Sequence, residues 1–139
     1  MEQTRSLIKP DGIRKGVMGD IIRRFENAGI RIAALKLLRM PKATAEAFYA
    51  EHQGKPFFDE LTTFMSSGPI VAMVLEGENV IQKNRDLMGA TDYRKAAPGT
   101  IRADFSRDLT ENTVHGSDSV TSAAREIPFF FSRLEICSA

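Results

Sequence analysis

"IVAMVLEG", residues 70–77, opens with six apolar side chains in succession. A strand of this kind has no polar face to turn to water, so it must be covered on both sides. The run is far too short to cross a bilayer. "SSGP" (66–69) before it and Gly77 after it bound it as a strand. The flanking chain must therefore supply two covering layers and further strands.

Upstream, "RSLI" (5–8) reads as a short strand ending in a Pro-Asp-Gly turn within "KPDG" (9–12). "MGDIIRRFENAGI" (18–30) places Ile21, Ile22, Phe25 and Ala28 at the spacing of a helix face, with Gly29 where a C-terminal cap belongs. "RIAALKLLRM" (31–40) is rich in strand formers and is closed by Pro41. Two short helical segments follow, "TAEAFYAEH" (44–52) and "PFFDELTTFM" (56–65). Downstream, "NVIQKNRDLMG" (79–89) reads as a helix, and residues 90–114 show no sustained period. A loop of that length inside a compact domain is usually functional. "SDSVTSAAREI" (117–127) predicts a helix and "RLEI" (133–136) a last strand. The order is β-α-β, a helical insertion, then β-α-loop-α-β. It predicts one domain over residues 1–139. The fold class is an α+β sandwich of ferredoxin-like type (βαββαβ), with a small antiparallel four-stranded sheet.

Composition narrows the function. The 139 residues are 42% hydrophobic and 27% charged, the balance of a globular chain with a real core. Nineteen Lys and Arg against eighteen Asp and Glu leave a net charge of +1, so no global field pulls the chain toward nucleic acid or an anionic membrane. The single cysteine, Cys137, has no partner within the chain, which fits a reducing compartment. "MEQTRSLIKPDG" (1–12) has no uninterrupted apolar stretch, so no signal peptide is expected. The expectation is a cytoplasmic protein.

Neither G-x-x-x-x-G-K-[ST] nor G-x-G-x-x-G occurs, and no Cys/His spacing fits a metal site. The chemistry concentrates in "NTVHGSDSVTSAARE" (112–126). His115 stands at a loop-to-helix junction, and a neutral imidazole is a good nucleophile near pH 7. Gly116 allows a sharp bend or a close approach. Ser117, Asp118 or Ser119 can cap the helix, whose first amides suit an anion. Glu126, two to three turns on, can bond the second ring nitrogen if the loop folds His115 back over the helix. Read alone, the segment is equally an ordinary capped turn, and local physics favours that reading. Lys9 at a strand end, Arg85 in a helix and Arg102 in the long loop are individually ordinary surface charges. Tyr49 sits at a partly buried helix position, and of Phe57 and Phe58 one enters the core while the other offers a face to a nucleobase. Thr91 and Asn112 are ordinary loop residues.

Taken together these blocks are not ordinary. "KPDG" (9–12), "FYAEH" (48–52), "PFF" (56–58), "SGPIVAMVLEG" (67–77), "RDLMGAT" (85–91), "PGTIRADF" (98–105) and "ENTVHGSDS" (111–119) closely resemble nucleoside diphosphate kinase, collinearly from Arg5 to Cys137. The resemblance implies transfer of a γ-phosphate, mainly from ATP, to nucleoside diphosphates by a ping-pong route through a phosphohistidine. His115 would be the nucleophile, Gly116 and Ser117 would shape its loop, and Glu126 would hold its ring. Lys9, Arg85, Thr91 and Arg102 would line the phosphates, with Lys9 and Asn112 near the sugar hydroxyls. Phe57 would stack on the base with Leu61 nearby, giving broad base specificity, and Tyr49 would lie against Lys9 and His115. The family uses Mg2+ held mainly by the nucleotide's own phosphates, so no protein metal cage is implied. The implied partners are nucleoside di- and triphosphates and further copies of the chain, in a tetramer or hexamer built from dimers. No membrane and no obligatory nucleic acid is implied.

Two positions depart from the family pattern. Asp92-Tyr93 stands where Asn-Pro is frequent, which bears on the long loop and on subunit contacts. Pro128 lies within the predicted helix, which should therefore bend or stop near Ile127 and leave "FFF" (129–131) irregular, with a Glu126–His115 contact intact. A nucleic-acid-binding or regulatory module on the same scaffold is the alternative. Against it, the aromatic K/R-G-F/Y-G/A-F-V-x-F/Y pattern is missing, and "PFF" starts a helix rather than lying mid-strand.

Overall fold

A computed structural model describes residues 1–139. Its centre is β3 (Ile70–Glu76), whose seven residues are all buried. Alternation along the strand divides them between two layers. Ile70, Ala72 and Val74 enter one apolar cluster, and Val71, Met73 and Leu75 enter the other. Each face of the strand thus has the cover that its apolar run requires.

β1 (Gln3–Ile8) and β2 (Arg31–Leu38) pair antiparallel with β3 on its two edges. β4 (Val114–Gly116) pairs antiparallel with the outer side of β1, giving the order β2-β3-β1-β4. This is the four-stranded antiparallel sheet of the ferredoxin-like α+β class.

Seven helices dress the sheet: α1 (Pro10–Arg14), α2 (Met18–Asn27), α3 (Lys42–Phe48), α4 (Phe58–Met65), α5 (Val80–Met88), α6 (Ile101–Phe105) and α7 (Val120–Phe130). Ile21 and Phe25 of α2, Val80 and Met88 of α5, and Ile101 of α6 form the layer that meets Val71, Met73 and Leu75. Ala45 and Phe48 of α3, Met65 of α4, and Ala123, Ile127 and Phe130 of α7 form the opposite layer. Completely burying a side chain such as Phe25 contributes about 2–3 kcal/mol. The helical face predicted in 18–30 is narrower than expected, since Ala28 is exposed beyond the last turn of α2.

Four local expectations are corrected. "KPDG" is not a free turn: Pro10 opens α1 at a position where its missing amide hydrogen costs nothing. Residues 90–114 are not featureless, because Thr100 caps α6 by accepting from the Ala103 amide and Asp92 caps a 3-10 turn at Tyr93–Lys95. The last strand is not "RLEI", which forms a 3-10 turn at Arg133–Glu135; the fourth strand is Val114–Gly116 and carries His115 itself. The vacant edge of β1 is filled by the segment next to it in space, and three residues suffice.

The fourth correction concerns Pro128. α7 runs through it to Phe130, and the Phe131 amide still donates to the Ile127 carbonyl at 3.0 Å. Proline removes one helical bond, near the end of the helix, while Ile127, Phe130 and Phe131 are held in the core. Packing outweighs the missing donor.

Candidate active site

The site grows from the register of β1 and β4. Arg5 and Leu7 lie two apart on β1 and share a face. Leu7 is directly opposite His115, so the imidazole joins that face. Arg5 is fully buried there, and its Nη1 lies 3.1 Å from His115 Nδ1. Ser119 starts α7 with a reciprocal cap to Ser122, and the helix then delivers Glu126 to the same spot. Glu126 Oε1 accepts from Arg5 Nε at 3.1 Å, Arg5 Nη2 at 2.5 Å and Ser117 Oγ at 2.8 Å. The expected direct Glu126–His115 contact is therefore absent, because the guanidinium of Arg5 stands between the two side chains. Arg5 was not among the residues marked by sequence. Its signal was a charge two positions before Leu7, on a strand face that had to be buried.

Lys9 follows β1 and is 6% exposed. Its Nζ donates to Asn112 Oδ1 at 2.7 Å and to the Thr110 carbonyl at 3.3 Å. Burial first, then the Arg102 charge, lowers its pKa to about 8, against a smaller upward pull from Asp11. Arg102 of α6 is 4% exposed and ties together the carbonyls of Gly89 (3.0 Å) and Val114 (2.8 Å). Burial and the neighbouring Arg85 lower its pKa to about 10. His115 is held well below 6.5, chiefly by desolvation and then by Arg5, Lys9 and Arg102. Its ring is neutral at physiological pH. Tyr49, whose ring centroid is 6.5 Å from that of His115, is pushed up to about 12 by burial.

Gly116 is required by a close approach. A Cβ there would collide with the side-chain amide of Asn84 on α5 and come within 3.1 Å of Met88 Cε. Thr113, just before β4, holds a left-handed backbone (φ 74°), rare for a β-branched residue. Its carbonyl accepts from the Lys9 amide at 2.8 Å and its hydroxyl lies 2.9 Å from Ser106 Oγ, so the strained turn is held from several sides.

His115 is the meeting point of three cavities. The largest, about 640 Å3, also has Arg85, Thr91, Arg102 and Gly116 on its walls. A second, about 340 Å3, is walled by Lys9, Tyr49, Phe57, Leu61 and Asn112, with Thr91 and Arg102 shared. The third, about 210 Å3, opens on Arg5, Tyr49 and Glu126. Every side chain singled out by sequence lines one of these spaces except Ser117, which acts on Glu126. His52, unmarked by sequence, lines two of the cavities and meets the Phe57 ring edge-on at 5.3 Å. Phe57 is 46% exposed, with Lys55 Nζ 5.8 Å from its ring centroid.

Arg5, Lys9 and Arg102 all act on a neutral imidazole, so the site can receive an anion that a nucleophile can attack. Fold and site define a phosphotransferase on a ferredoxin-like α+β scaffold. The family model described as nucleoside diphosphate kinase matches residues 2–136, and the chain belongs to that family. A nucleoside diphosphate kinase of Wolinella succinogenes is 62% identical over 98% of this chain and 99% of its own length. One of Campylobacter hominis is 59% identical over 99% of this chain and 100% of its own. Among solved structures, the Aquifex aeolicus nucleoside diphosphate kinase superposes with a TM-score of 0.94 at 49% identity, covering 97% of this chain and 98% of that one. A halophilic nucleoside diphosphate kinase from Halobacterium salinarum, solved in complex with CDP, superposes with a TM-score of 0.96 at 45% identity, covering 99% and 92%.

Proposed function

We propose that this chain moves the γ-phosphate of a nucleoside triphosphate, mainly ATP, to nucleoside diphosphates through a phosphohistidine at His115. The observation that carries the reading is the convergence of three cavities on one neutral, cation-ringed imidazole. The nucleotide enters with its base against Phe57 and Leu61 and its sugar near Lys9 and Asn112. Its phosphates then meet Arg85, Thr91 and Arg102. A ring lone pair of His115 attacks the γ-phosphorus. The nitrogen–phosphorus bond forms as the bond to the β-phosphate oxygen breaks, and that oxygen keeps the electron pair. Lys9 and the arginines balance charge on the peripheral oxygens, where phosphoryl transfer concentrates it. The diphosphate leaves, an acceptor diphosphate takes its place, and the same step runs backward. Tyr49 lies against Lys9 and His115, Gly116 lets β4 approach α5, and Ser117 steadies Glu126.

Mg2+ fits this site as part of the substrate. No group of three or more His, Cys, Asp or Glu side chains is placed to cage a metal ion, and the largest cavity sets Arg85 and Arg102 against only Asp86 and Asp118. The ion would ride on the nucleotide's phosphates and offset their charge. A stacking face without an edge-reading pair suits broad base specificity, and the CDP complex of the Halobacterium relative supports a pyrimidine in such a slot. Helices cover both faces of β3, and the exposed residues of β2 are Arg31, Leu35 and Leu37, which leaves no aromatic sheet surface of the kind an RNA-recognition module uses.

The working protein is inferred to be a cytoplasmic homo-oligomer, a tetramer or hexamer built from dimers. No helix is long and apolar enough to cross a membrane. β2 is the outer strand, its Ala33 carbonyl taken by the Cys137 amide, and it bears Leu35 and Leu37, 56% and 63% exposed, a surface suited to a second copy.

Incubation with magnesium-ATP should leave an acid-labile, base-stable phosphate on His115 that departs on addition of a nucleoside diphosphate. His115→Ala should abolish it. Phosphate found mainly on serine, or undiminished transfer by His115→Ala, would overturn the mechanism.

A further inference from the structure

We propose that Asp11 is a positioning residue for the reaction: it holds the strained turn at Thr113 from which β4 starts, and so fixes Lys9 and His115 relative to one another. This rests on His115 taking the phosphate and Lys9 meeting it. Residues 112–114 form a γ-turn, the Val114 amide donating to the Asn112 carbonyl at 2.8 Å around a Thr113 φ of 74°. The positive-φ form of this turn is rare and strained, the more so at a β-branched residue. Such a conformation persists only where its surroundings fix it. Thr113 stands between Asn112, whose side chain accepts from Lys9, and β4, whose second residue is His115. A turn that relaxed would move both.

The fixing comes from α1. Asp11, Ser106 and Thr113 are all buried. Asp11 Oδ2 lies 3.4 Å from Thr113 Oγ1, which lies 2.9 Å from Ser106 Oγ at the end of α6. A carboxylate only accepts, so the Thr113 hydroxyl donates to Asp11 and its oxygen is left to accept from Ser106. Asp11 Oδ1 meets no donor, which leaves Thr113 as the one hydroxyl that the carboxylate engages. Gly12 admits the turn, since a Cβ there would come within 3.2 Å of both Thr113 Cγ2 and the Thr113 carbonyl oxygen. That carbonyl takes the Lys9 amide at 2.8 Å. The start of α1 therefore grips Thr113 twice, by main chain at Lys9 and by side chain at Asp11. Asp11 also brings a charge to the lysine. Arg5 of β1, Arg102 of α6, His115 of β4, and Tyr49 and His52 from the far wall surround Lys9. Burial, Arg102 and Arg5 pull its pKa down, and Asp11 is the carboxylate that pulls it back up. Lys15 Nζ, 3.7 Å from Asp11 Oδ2, shares that carboxylate.

Two near-isosteric variants of the full chain separate the grip from the charge. Thr113→Val removes the hydroxyl and keeps the shape. Phosphoenzyme formation should slow by about tenfold or more, with kcat falling more than KM for ATP rises, while Lys9 titrates where it does in the wild type. Asp11→Asn keeps an acceptor for Thr113 and drops the charge. Its rate at pH 6.5 should stay within a few-fold of wild type. The titration midpoint of Lys9, followed in the free protein by nitrogen-15 spectroscopy of labelled lysine, should fall below its value of about 8. Asp11→Ala should show both effects, and if it does not fold the two closer variants still decide. Transfer by Thr113→Val at the wild-type rate, or an unmoved Lys9 midpoint in Asp11→Asn, would overturn the proposal. The midpoint needs no turnover, and phosphorylation of the wild type on His115 is scored separately, so a failure of the proposed function would show in the wild type alone.

Discussion

Lys9 is a buried cation whose best partner in the free protein is a neutral amide, and its proton is correspondingly loosely held. The folded pKa of about 8 lies below the ordinary lysine value of 10.5. Between those values the unfolded chain binds one more proton than the fold, so this group makes stability rise with pH across that window and weakens the fold below it. The effect is on the order of 3 kcal/mol at most. Tyr49 acts oppositely: its folded pKa of about 12 exceeds the usual 10.0, so the fold keeps a proton that the unfolded chain has lost, and stability falls as pH climbs through that range. Urea midpoints followed from pH 7 to 10 should therefore rise, and Lys9→Met should remove most of the rise. Nucleotide affinity should move the other way, weakening above about pH 8 as Lys9 loses the charge that meets phosphate, and titration calorimetry at pH 7 and 9.5 would show it. Affinity that is flat in pH for the wild type would mean that Lys9 does not bear on the phosphates. His115 was marked by the resemblance of its segment to a known family, since local physics alone favoured a capped turn there. Arg5 was not, because its meaning depends on a strand register that brings it within reach of a ring 110 positions away.

α7 is the element in which local rule and tertiary structure disagree. Pro128 is exposed in its last turn, and its missing donor leaves the Ala124 carbonyl without the usual helical partner. Pro128→Ala restores that bond at an outward-facing position. It should stabilise the chain by about 1–2 kcal/mol after allowance for the looser unfolded state, a rise of a few degrees in Tm. Phosphorylation of His115 should stay within a few-fold, since Glu126 lies before the proline and is already held by Arg5 and Ser117. A large gain in rate would show that the proline displaces Glu126. The buried strand at 70–76, the helices flanking it and the fold class were readable from periodicity, because burial on one face or two leaves a period in the chain. The fourth strand was not, because Val114–Gly116 is three residues long and takes its identity from the vacant edge of β1. Proline chemistry gave the wrong end for α7 because it counts a lost donor and not the apolar residues beyond it.

At the scale of the whole molecule, the exposed leucines of the edge strand β2 are the feature that the isolated chain leaves unresolved. Leu35 and Leu37 are exposed on this outermost strand, whose free side meets only the Cys137 amide at Ala33. Leu35→Lys combined with Leu37→Lys should place like charges on that edge and shift sedimentation toward smaller species, with the chain still folded by circular dichroism. An unchanged sedimentation coefficient would place the contact between copies elsewhere. The contacts at the centre of the molecule have a consequence of another kind. Arg5 reaches Glu126 across 121 positions and Lys9 reaches Asn112 across 103, so the first strand and the last helix meet only when the chain closes on itself. Contacts so distant along the chain carry a high loop-closure entropy and form late. A chain emerging from the ribosome therefore carries Arg5 and Lys9 long before it carries the side chains that hold them. Those partners arrive only with residues 112–126, so two buried cations wait unpaired until synthesis is all but complete.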